Sequence, residues 1–120
     1  MYYENLPIFR SAMNLAVYIE TIVKSFDRYH KYTIGVHLRE RSQKILFLIS
    51  QANMAKDKTK KLFQLRDMCE MTKITVILAK ELKAFRSFKQ FEQSSKLTIE
   101  VCRQAQAWLK SSAGVLHVHM

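Results

Sequence analysis

Residues that form tight turns are scarce in this sequence, which has two glycines and one proline among 120 residues. β-Sandwiches and barrels need many turns, so an all-β fold is disfavoured. Dinucleotide and P-loop sites need glycine-rich loops, which are missing. Because 48% of the residues are hydrophobic, the chain can bury a core and is not typical of a disordered protein. The remaining fold class is one all-α domain made of a few long helices.

Long apolar runs and cysteine motifs are also missing. The sequence contains no run of 18 apolar residues, the length needed to span a membrane. Its first residues lack the pattern of a signal peptide. Cys69 and Cys102 have no CxxC spacing and lie in apolar helical settings, which is typical of reduced core residues. We therefore expect a cytoplasmic protein with no membrane partner.

Positive charge is present in large excess, with 20 Lys+Arg against 10 Asp+Glu and a formal net charge of +10. Residues 1–60 and residues 61–120 each carry 10 basic and 5 acidic residues, so the excess belongs to the folded surface and not to a tail. Polyanions are the obvious partners of such a surface. Charge alone is equally compatible with a basic protein that binds no polyanion.

Hydrophobic periodicity predicts four helices, spanning residues 7–25, 33–55, 60–85 and 88–112. Thr33 is the expected N-cap of the second helix, and Leu82 is the last inward residue of the third. The connections are short, so neighbouring helices are antiparallel and form an up-down-up-down four-helix bundle.

We place the bundle at residues 1–112 and a flexible tail at residues 113–120. His117 and His119 in that tail could touch a metal, but a loose terminus is the preferred interpretation. Neither a metal site nor a cofactor is predicted.

Two features of the helices suggest a second subunit. Arg41 falls within the apolar stripe of the second helix, and a buried cation needs a partner. We expect it to meet a carboxylate of another helix or subunit, or to extend its head to water at the seam. Phe63, Ile74 and Ile77 lie outside the main stripe of the third helix and predict an oligomer interface. The alternative is a small patch that a chain terminus covers.

Basic residues at Arg66, Lys73 and Lys80 repeat every seven positions, so they share one outer face of the third helix. A similar stripe on the fourth helix is partly neutralised by glutamates; we expect Glu100 to pair with Arg103. The stripe on the third helix is less evenly matched and is a candidate for contact with a polyanion.

The connection between the first two helices combines cations with rings that could stack on bases. We expect Arg28 and Lys31 to be available there, and Tyr32 to pack against the bundle. The turn at residues 56–61 adds four lysines. Phosphate contacts through such cations are sensitive to salt and mostly independent of sequence.

No catalytic constellation is apparent. The sequence lacks HExxH and ExxH spacings, and no histidine or carboxylate is spaced to activate a cysteine. We therefore predict that the protein is not an enzyme and has no catalytic residues. A small helical enzyme, the competing hypothesis, would need a pocket with a perturbed acid or base.

Residues 26–39 (FDRYHKYTIGVHLR) resemble the inter-helix motif of a family of small four-helix-bundle proteins. The family includes proteins encoded in intervening sequences of bacterial 23S ribosomal RNA genes and Avd, the accessory variability determinant of diversity-generating retroelements. Its usual pattern has Phe-Pro, then basic residues, Tyr-x-Leu-Gly and Arg; here Asp27 replaces the proline and Ile34 the leucine. Residues 78–85 (LAKELKAF) and 99–111 (IEVCRQAQAWLKS) favour the Avd branch.

The resemblance implies a non-catalytic accessory protein. Avd proteins form basic, ring-like homopentamers, bind nucleic acid and associate with the reverse transcriptase of the element, which copies a template RNA with errors during mutagenic retrohoming. On this hypothesis, the residues expected to contact RNA, DNA or the reverse transcriptase are Arg28, Lys31, Arg39, Arg66, Lys73, Lys80 and Lys83. Among the last five, only Arg39 rests on the family motif. The alternative is an interaction or scaffold protein of the ribosomal intervening-sequence type, without a reverse transcriptase.

Overall fold

The chain folds into helices, and the part that the structure describes contains no strand. The computed structural model describes the backbone of residues 2–118 and the side chains of residues 2–112. A turn of 3-10 helix at Tyr3–Asn5 comes first. The helices are α1 (Pro7–Val23), α2 (Arg28–Lys31), α3 (Ile34–Met54), α4 (Thr59–Glu81) and α5 (Phe88–Val118). The all-helical prediction is confirmed, and α2 is an additional single turn.

The four long helices form a bundle in which each helix packs against two others. α1 lies against α3 and α5, and α4 lies against the same two helices. Because the connections are short, consecutive long helices run in opposite directions, as expected for an up-down-up-down bundle. Among the helices of the described region, none is long and apolar enough to cross a membrane.

Each long helix contributes an apolar stripe to one shared core. The stripes repeat at three- and four-residue intervals, as at Leu15 and Ile19 in α1 and at Leu62 and Leu65 in α4. Burying a side chain of this size typically contributes about 1.5–3 kcal/mol. Other fully buried side chains are Leu38, Ile45, Ile49, Val76 and Val101. Amphipathic spacing therefore accounts for the bundle, while helix propensity alone would be a weak cause.

Gly35 allows a close approach at the start of α3. A Cβ atom there would lie 2.8 Å from Cγ1 of Val23 and 2.9 Å from the carbonyl oxygen of His30. The lack of a side chain lets α3 begin against the end of α1, beside Phe26, which is 3% exposed. The glycine of the inter-helix motif thus has a packing role, and it lets the backbone of α2 lie close to the start of α3.

A lysine closes the C-terminal end of α3. Nζ of Lys58 donates to the carbonyl oxygens of Ala52 (3.1 Å), Asn53 (2.7 Å) and Ala55 (3.1 Å). The last carbonyls of a helix lack intrahelical partners and favour a nearby cation. Lys58 therefore belongs to the fold, whereas Lys56 in the same connection is exposed.

Two expectations about helix ends need correction. Thr33 is the N-cap residue of α3, as predicted, but its hydroxyl donates to the carbonyl oxygen of Tyr29 at 2.7 Å and does not accept from the first turn. Leu82 is 46% exposed, because α4 ends at Glu81 and the chain leaves the helix before this side chain can point inward.

The last helix continues past residue 112, its predicted end, to Val118. The side chains of the predicted tail, residues 113–120, lie outside the described residues, and these include His117 and His119. The flexibility of this segment stays a prediction.

Candidate functional site

Basic side chains converge at one end of the bundle, which we call the basic end. It comprises the end of α1, all of α2, the start of α3, the end of α4 and the start of α5, because alternating helix directions bring these segments together. Its cations are Lys24, Arg28, Lys31, Arg39, Lys80, Lys83, Arg86 and Lys89. The structure thus groups five of the predicted contact residues: Arg28, Lys31, Arg39, Lys80 and Lys83.

Asp27 shapes the turn of helix at the basic end. Its Oδ1 accepts a hydrogen bond from the backbone N–H of His30 at 3.0 Å, and its Oδ2 lies 2.7 Å from Nδ1 of the same histidine. The backbone hydrogen bond, aided by the imidazole contact, holds the pKa of the Asp27 carboxyl below its usual value. The charged carboxylate therefore caps α2, and Arg28 and Tyr29 are exposed.

A small cleft opens where α1 meets α2 and α3, and we call it the α1–α3 cleft. It has a volume of about 220 Å³ and is lined by Glu20, Val23, Lys24, Lys31, Tyr32 and Arg39. Nε of Arg39 donates to Oε2 of Glu20 at 2.8 Å, and this hydrogen bond raises the pKa of Arg39. Lys24 and Lys31 form no ion pair within the described region. Their charge is available to an anion.

The placement of Tyr32 corrects an expectation. Its side chain is 68% exposed and lines the α1–α3 cleft, so it does not pack against the bundle. Tyr32 follows directly after the turn of helix that Asp27 caps, and this additional turn is not part of the predicted connection.

Arg86 joins the two sides of the basic end. Its Nε donates to the backbone carbonyl oxygen of Ser25, at the end of α1. Beside it, Phe85 packs edge-on against Phe26 with 5.6 Å between ring centroids. Nε2 of Gln90 adds a hydrogen bond to Oγ of Ser25 at 3.4 Å. These contacts hold the α4–α5 connection against α1, so cations from both halves of the chain share one surface.

A second cleft lies between the end of α4 and the start of α5, and we call it the α4–α5 cleft. It has a volume of about 210 Å³ and is lined by Lys80, Lys83, Phe85, Ser87, Phe88 and Phe91. Nζ of Lys80 lies 5.1 Å from the ring centroid of Phe91, a cation–π distance. Lys83 has a φ of 60°, in the left-handed region that side chains rarely adopt. Among the described lining residues none is acidic.

Four phenylalanine rings connect the core to this cleft. Ring centroids are 5.6 Å apart between Phe26 and Phe85, 6.0 Å between Phe85 and Phe91, and 5.6 Å between Phe91 and Phe88. The exposed fraction rises from 3% at Phe26 to 66% at Phe88. The outermost ring, Phe88, is therefore supported by Phe91 and is largely exposed to solvent.

Two predicted contact residues lie away from the basic end. Arg66 is about 20 Å from Lys80 along α4, given the rise of a helix. Its guanidinium pairs with Asp67 at 3.0 Å and lies 4.9 Å from the ring centroid of Phe63. Lys73 is half-buried between these positions. Arg66 and Lys73 therefore do not belong to the basic end, although they lie on the same helix as Lys80.

The outer side of α4 is unusually apolar, and we call it the α4 apolar face. It consists of Phe63, Met71, Ile74, Ile77 and Leu78, which are between 42% and 63% exposed. Arg41 is half-buried at the neighbouring α3–α4 seam, where Nη1 donates to Oγ1 of Thr75. Within the described residues no carboxylate pairs with Arg41. Its partner on another helix of this chain is therefore a hydroxyl and not the expected carboxylate.

The two cysteines do not form an exposed reactive centre. Cys69 in α4 and Cys102 in α5 are buried and free of a disulfide. Interaction with the neighbouring Cys102 thiol, together with burial, raises the pKa of Cys69 and favours its neutral form. Across the described part of the chain, no group of three His, Cys, Asp or Glu side chains is placed to hold a metal ion.

Sequence reasoning missed several residues of the basic end. It does not single out Lys24 or Arg86, and it marks Phe88 only as a helix start. A usable signal is present in residues 84–91 (AFRSFKQF), where three phenylalanines occur at three-residue intervals between basic residues. Phe88 and Phe91 lie on one side of the first turn of α5, and Phe85, which precedes the helix, packs on Phe91.

Comparison with known proteins assigns no family. No protein-family model matches this chain, and no curated protein matches it. The resemblance of residues 26–39 and 99–111 to the Avd family stays a prediction.

Proposed function

We propose that this chain is a non-catalytic accessory protein that binds nucleic acid through phosphate contacts at its basic end. The observation that supports the proposal is the convergence of cations from distant parts of the chain, such as Lys31 and Lys83, on one surface. Cations that neutralise phosphates release condensed counterions, which favours binding to both RNA and DNA.

The acids at this end are partly engaged. Glu20 is held by Arg39 at 2.8 Å, and Asp27 caps α2 through His30. Glu40, next to Arg39, and Glu81, in the last turn of α4, are exposed. The cations therefore outnumber the available carboxylates, and a polyanion is the partner with the best charge complementarity.

Two double variants with equal charge loss test this proposal. Arg28→Gln with Lys31→Gln removes two cations from the basic end, whereas Lys56→Gln with Lys60→Gln removes two exposed cations from the opposite end. Binding to a DNA duplex of about 20 base pairs is measured by fluorescence anisotropy over a range of salt concentrations. The salt slope is the slope of the logarithm of the affinity against the logarithm of the salt concentration. We expect only the first double variant to reduce it, by about 0.9 for each phosphate that the variant no longer neutralises.

Two outcomes would contradict the proposed binding at the basic end. If the unaltered protein binds no RNA or DNA at low salt, the proposal is wrong. Equal losses of affinity in the two double variants would mean that binding follows net charge and that the basic end has no special role.

The resemblance to the Avd family extends the proposal to a reverse transcriptase partner. On this hypothesis the partner copies the template RNA of a diversity-generating retroelement, and this chain supplies a nucleic-acid-binding surface. A neighbouring reverse transcriptase gene and template repeat would support it. Purified reverse transcriptase from the same element should co-elute with this chain, and separate elution at micromolar concentrations would contradict the partnership.

We further propose that the α4 apolar face is the subunit interface of a homo-oligomer. The resemblance to the Avd family implies that this oligomer is a ring-like pentamer. In a lone bundle Phe63, Ile74 and Ile77 would stay in water, although few monomers expose a contiguous apolar patch of this kind. Arg41 lies beside this face and could meet a neighbouring subunit. Mass measurement in solution tests the assembly, and a stable monomer at micromolar concentration would contradict it.

The α4 apolar face also favours a second candidate function. An interaction or scaffold protein of the ribosomal intervening-sequence type would use this face for protein contacts and would need no reverse transcriptase. An open reading frame inside a ribosomal RNA gene, together with assembly but no nucleic-acid binding, would support this alternative.

A further inference from the structure

We propose that the α4–α5 cleft holds one unpaired nucleotide, with the base on the ring of Phe88 and the phosphate near Lys80 and Lys83. The inference rests on the proposed nucleic-acid binding and assigns its preferred ligand, which is single-stranded nucleic acid. It concerns a different cleft of the basic end from the α1–α3 cleft, which is lined by cations with only Tyr32 as a ring.

The position of Phe88 is typical of a stacking platform. Its ring is 66% exposed, yet it packs on Phe91 with 5.6 Å between centroids and an interplanar angle of 55°. The backbone below it is also fixed, because Oγ of Ser87 accepts from the N–H of Gln90 at 3.2 Å and so caps α5. An exposed aromatic ring that packs on a neighbouring ring can stack on a base.

The two lysines supply charge at the edge of this platform. Lys80 is held over Phe91 at 5.1 Å, so its ammonium group stays close to the cleft. Lys83 occupies the left-handed position after α4, where glycine is the usual residue. Unfavourable backbone conformations are concentrated at functional sites, and here the observed strain accompanies a cation in a cleft.

Charge and shape together favour a single strand over other polyanions. In a duplex the base faces are covered by neighbouring pairs, so Phe88 has nothing to stack on. An acidic peptide would satisfy Lys80 and Lys83 but leave the ring in water. An unpaired nucleotide provides both a flat π surface and an anion, and this cleft is lined by both an exposed ring and two lysines.

The test compares oligothymidylate of about 20 nucleotides with a duplex of the same length, both labelled with fluorescein. The variants are Phe88→Ala, Phe88→Leu and Phe88→Tyr, with Phe47→Ala as the matched control, because Phe47 is 62% exposed on α3. We expect Phe88→Ala and Phe88→Leu to lower the ratio of single-strand to duplex affinity about tenfold, as stacking typically contributes. Phe88→Tyr and Phe47→Ala should keep that ratio within about twofold.

A second measurement separates stacking from charge. Phe88→Ala should leave the salt slope for the single strand unchanged, whereas Lys80→Gln with Lys83→Ala should reduce it by about 0.7 for each phosphate that is no longer neutralised. Polyglutamate should compete poorly with the single strand.

The outcomes distinguish this inference from the function on which it rests. Binding of both nucleic acids with no effect of Phe88→Ala overturns the stacking site but leaves the basic end in place. Equal competition by polyglutamate also overturns it. A protein that binds neither nucleic acid at low salt overturns the proposed function and the inference together.

Discussion

The backbone N–H of Ala84 donates to the carbonyl oxygen of Ala79 at 2.9 Å, which closes α4 in a Schellman motif. In the same motif the N–H of Lys83 donates to the carbonyl oxygen of Lys80 at 2.9 Å. The geometry requires a left-handed residue at position 83, and this chain has lysine where glycine is preferred. The end of α4 is therefore less stable than its hydrogen bonds alone would make it.

We predict that Lys83→Gly increases the free energy of unfolding by about 1 kcal/mol, because glycine adopts the left-handed conformation without a Cβ clash. Urea unfolding followed by circular dichroism measures the change. Lys83→Ala is the control, since it removes the ammonium group but keeps the strain, and it should not stabilise the protein. Equal stabilisation by both variants would show that charge repulsion, and not the backbone, is relieved.

Lys58→Met should lower the free energy of unfolding by about 1–2 kcal/mol, because three carbonyl oxygens at the end of α3 lose a charged donor. Methionine keeps most of the aliphatic stem. Lys56→Met is the matched control in the same connection, where the side chain is exposed, and it should change stability by less than about 0.5 kcal/mol. Similar effects of the two variants would contradict a capping role for Lys58.

Two buried serines offer a contrast in hydrogen bonding. In the described region Oγ of Ser94 has no partner, whereas Oγ of Ser42 donates to the carbonyl oxygen of Arg39 at 3.1 Å. We expect Ser94→Ala to raise the free energy of unfolding by about 1 kcal/mol and Ser42→Ala to lower it by a similar amount. Thermal unfolding of both variants checks the signs. Destabilisation by Ser94→Ala would indicate a buried water bound to that hydroxyl.

Glu100 makes stability depend on acid pH. Hydrogen bonds from Arg103, at 2.6 Å and 3.0 Å, and from Gln104 lower the pKa of Glu100 from 4.5 to about 2. A carboxyl with a lowered folded pKa stabilises the protein above its unfolded pKa, and this contribution is lost as the pH falls from about 4.5 to about 2. Glu100→Gln should weaken the decline of the urea midpoint over that range.

The matched control for Glu100→Gln is Glu92→Gln, which removes an exposed carboxylate from the same helix. Among the described residues Glu92 forms no ion pair. If both variants flatten the pH profile equally, the effect comes from net charge and not from the Arg103 and Gln104 contacts.

Ile77→Asp should shift the solution mass towards the monomer, because it places a charge in the middle of the α4 apolar face. Light scattering coupled to size exclusion measures the mass. Val17→Asp on α1 is the control, since Val17 is an aliphatic residue that is 58% exposed on another helix. An unchanged mass for Ile77→Asp would place the seam elsewhere.

The helical stripes could be predicted from the sequence because they depend on local spacing. Leu15, Ile45 and Leu62 each recur with other apolar residues on one side of a helix, and burial of that side is the main source of stability. Leu82 has the same spacing, yet it is exposed, because periodicity does not show where a helix stops. The Schellman hydrogen bonds determine where α4 ends. The sequence does not indicate this end, because position 83 has lysine and not the glycine that is typical there.

The candidate site was less predictable, because it depends on contacts between distant segments. Arg28 and Lys31 are recognisable from their neighbours in the sequence, but Arg86 reaches the end of α1 through a hydrogen bond that spans 61 positions. No local pattern reveals such a contact. Lys58 looks like a free lysine in the sequence for a similar reason, since its acceptors become available only when α3 ends.

The alternating directions of the four long helices also determine where the chain can be attached to something else. α1 runs towards the basic end and α5 runs away from it, so the start of α1 and the end of α5 both lie at the far end of the bundle. Trp108 and Pro7 indeed line the same groove there. A tag, a dye or a tether to a sensor chip at either position would leave both clefts facing the solution.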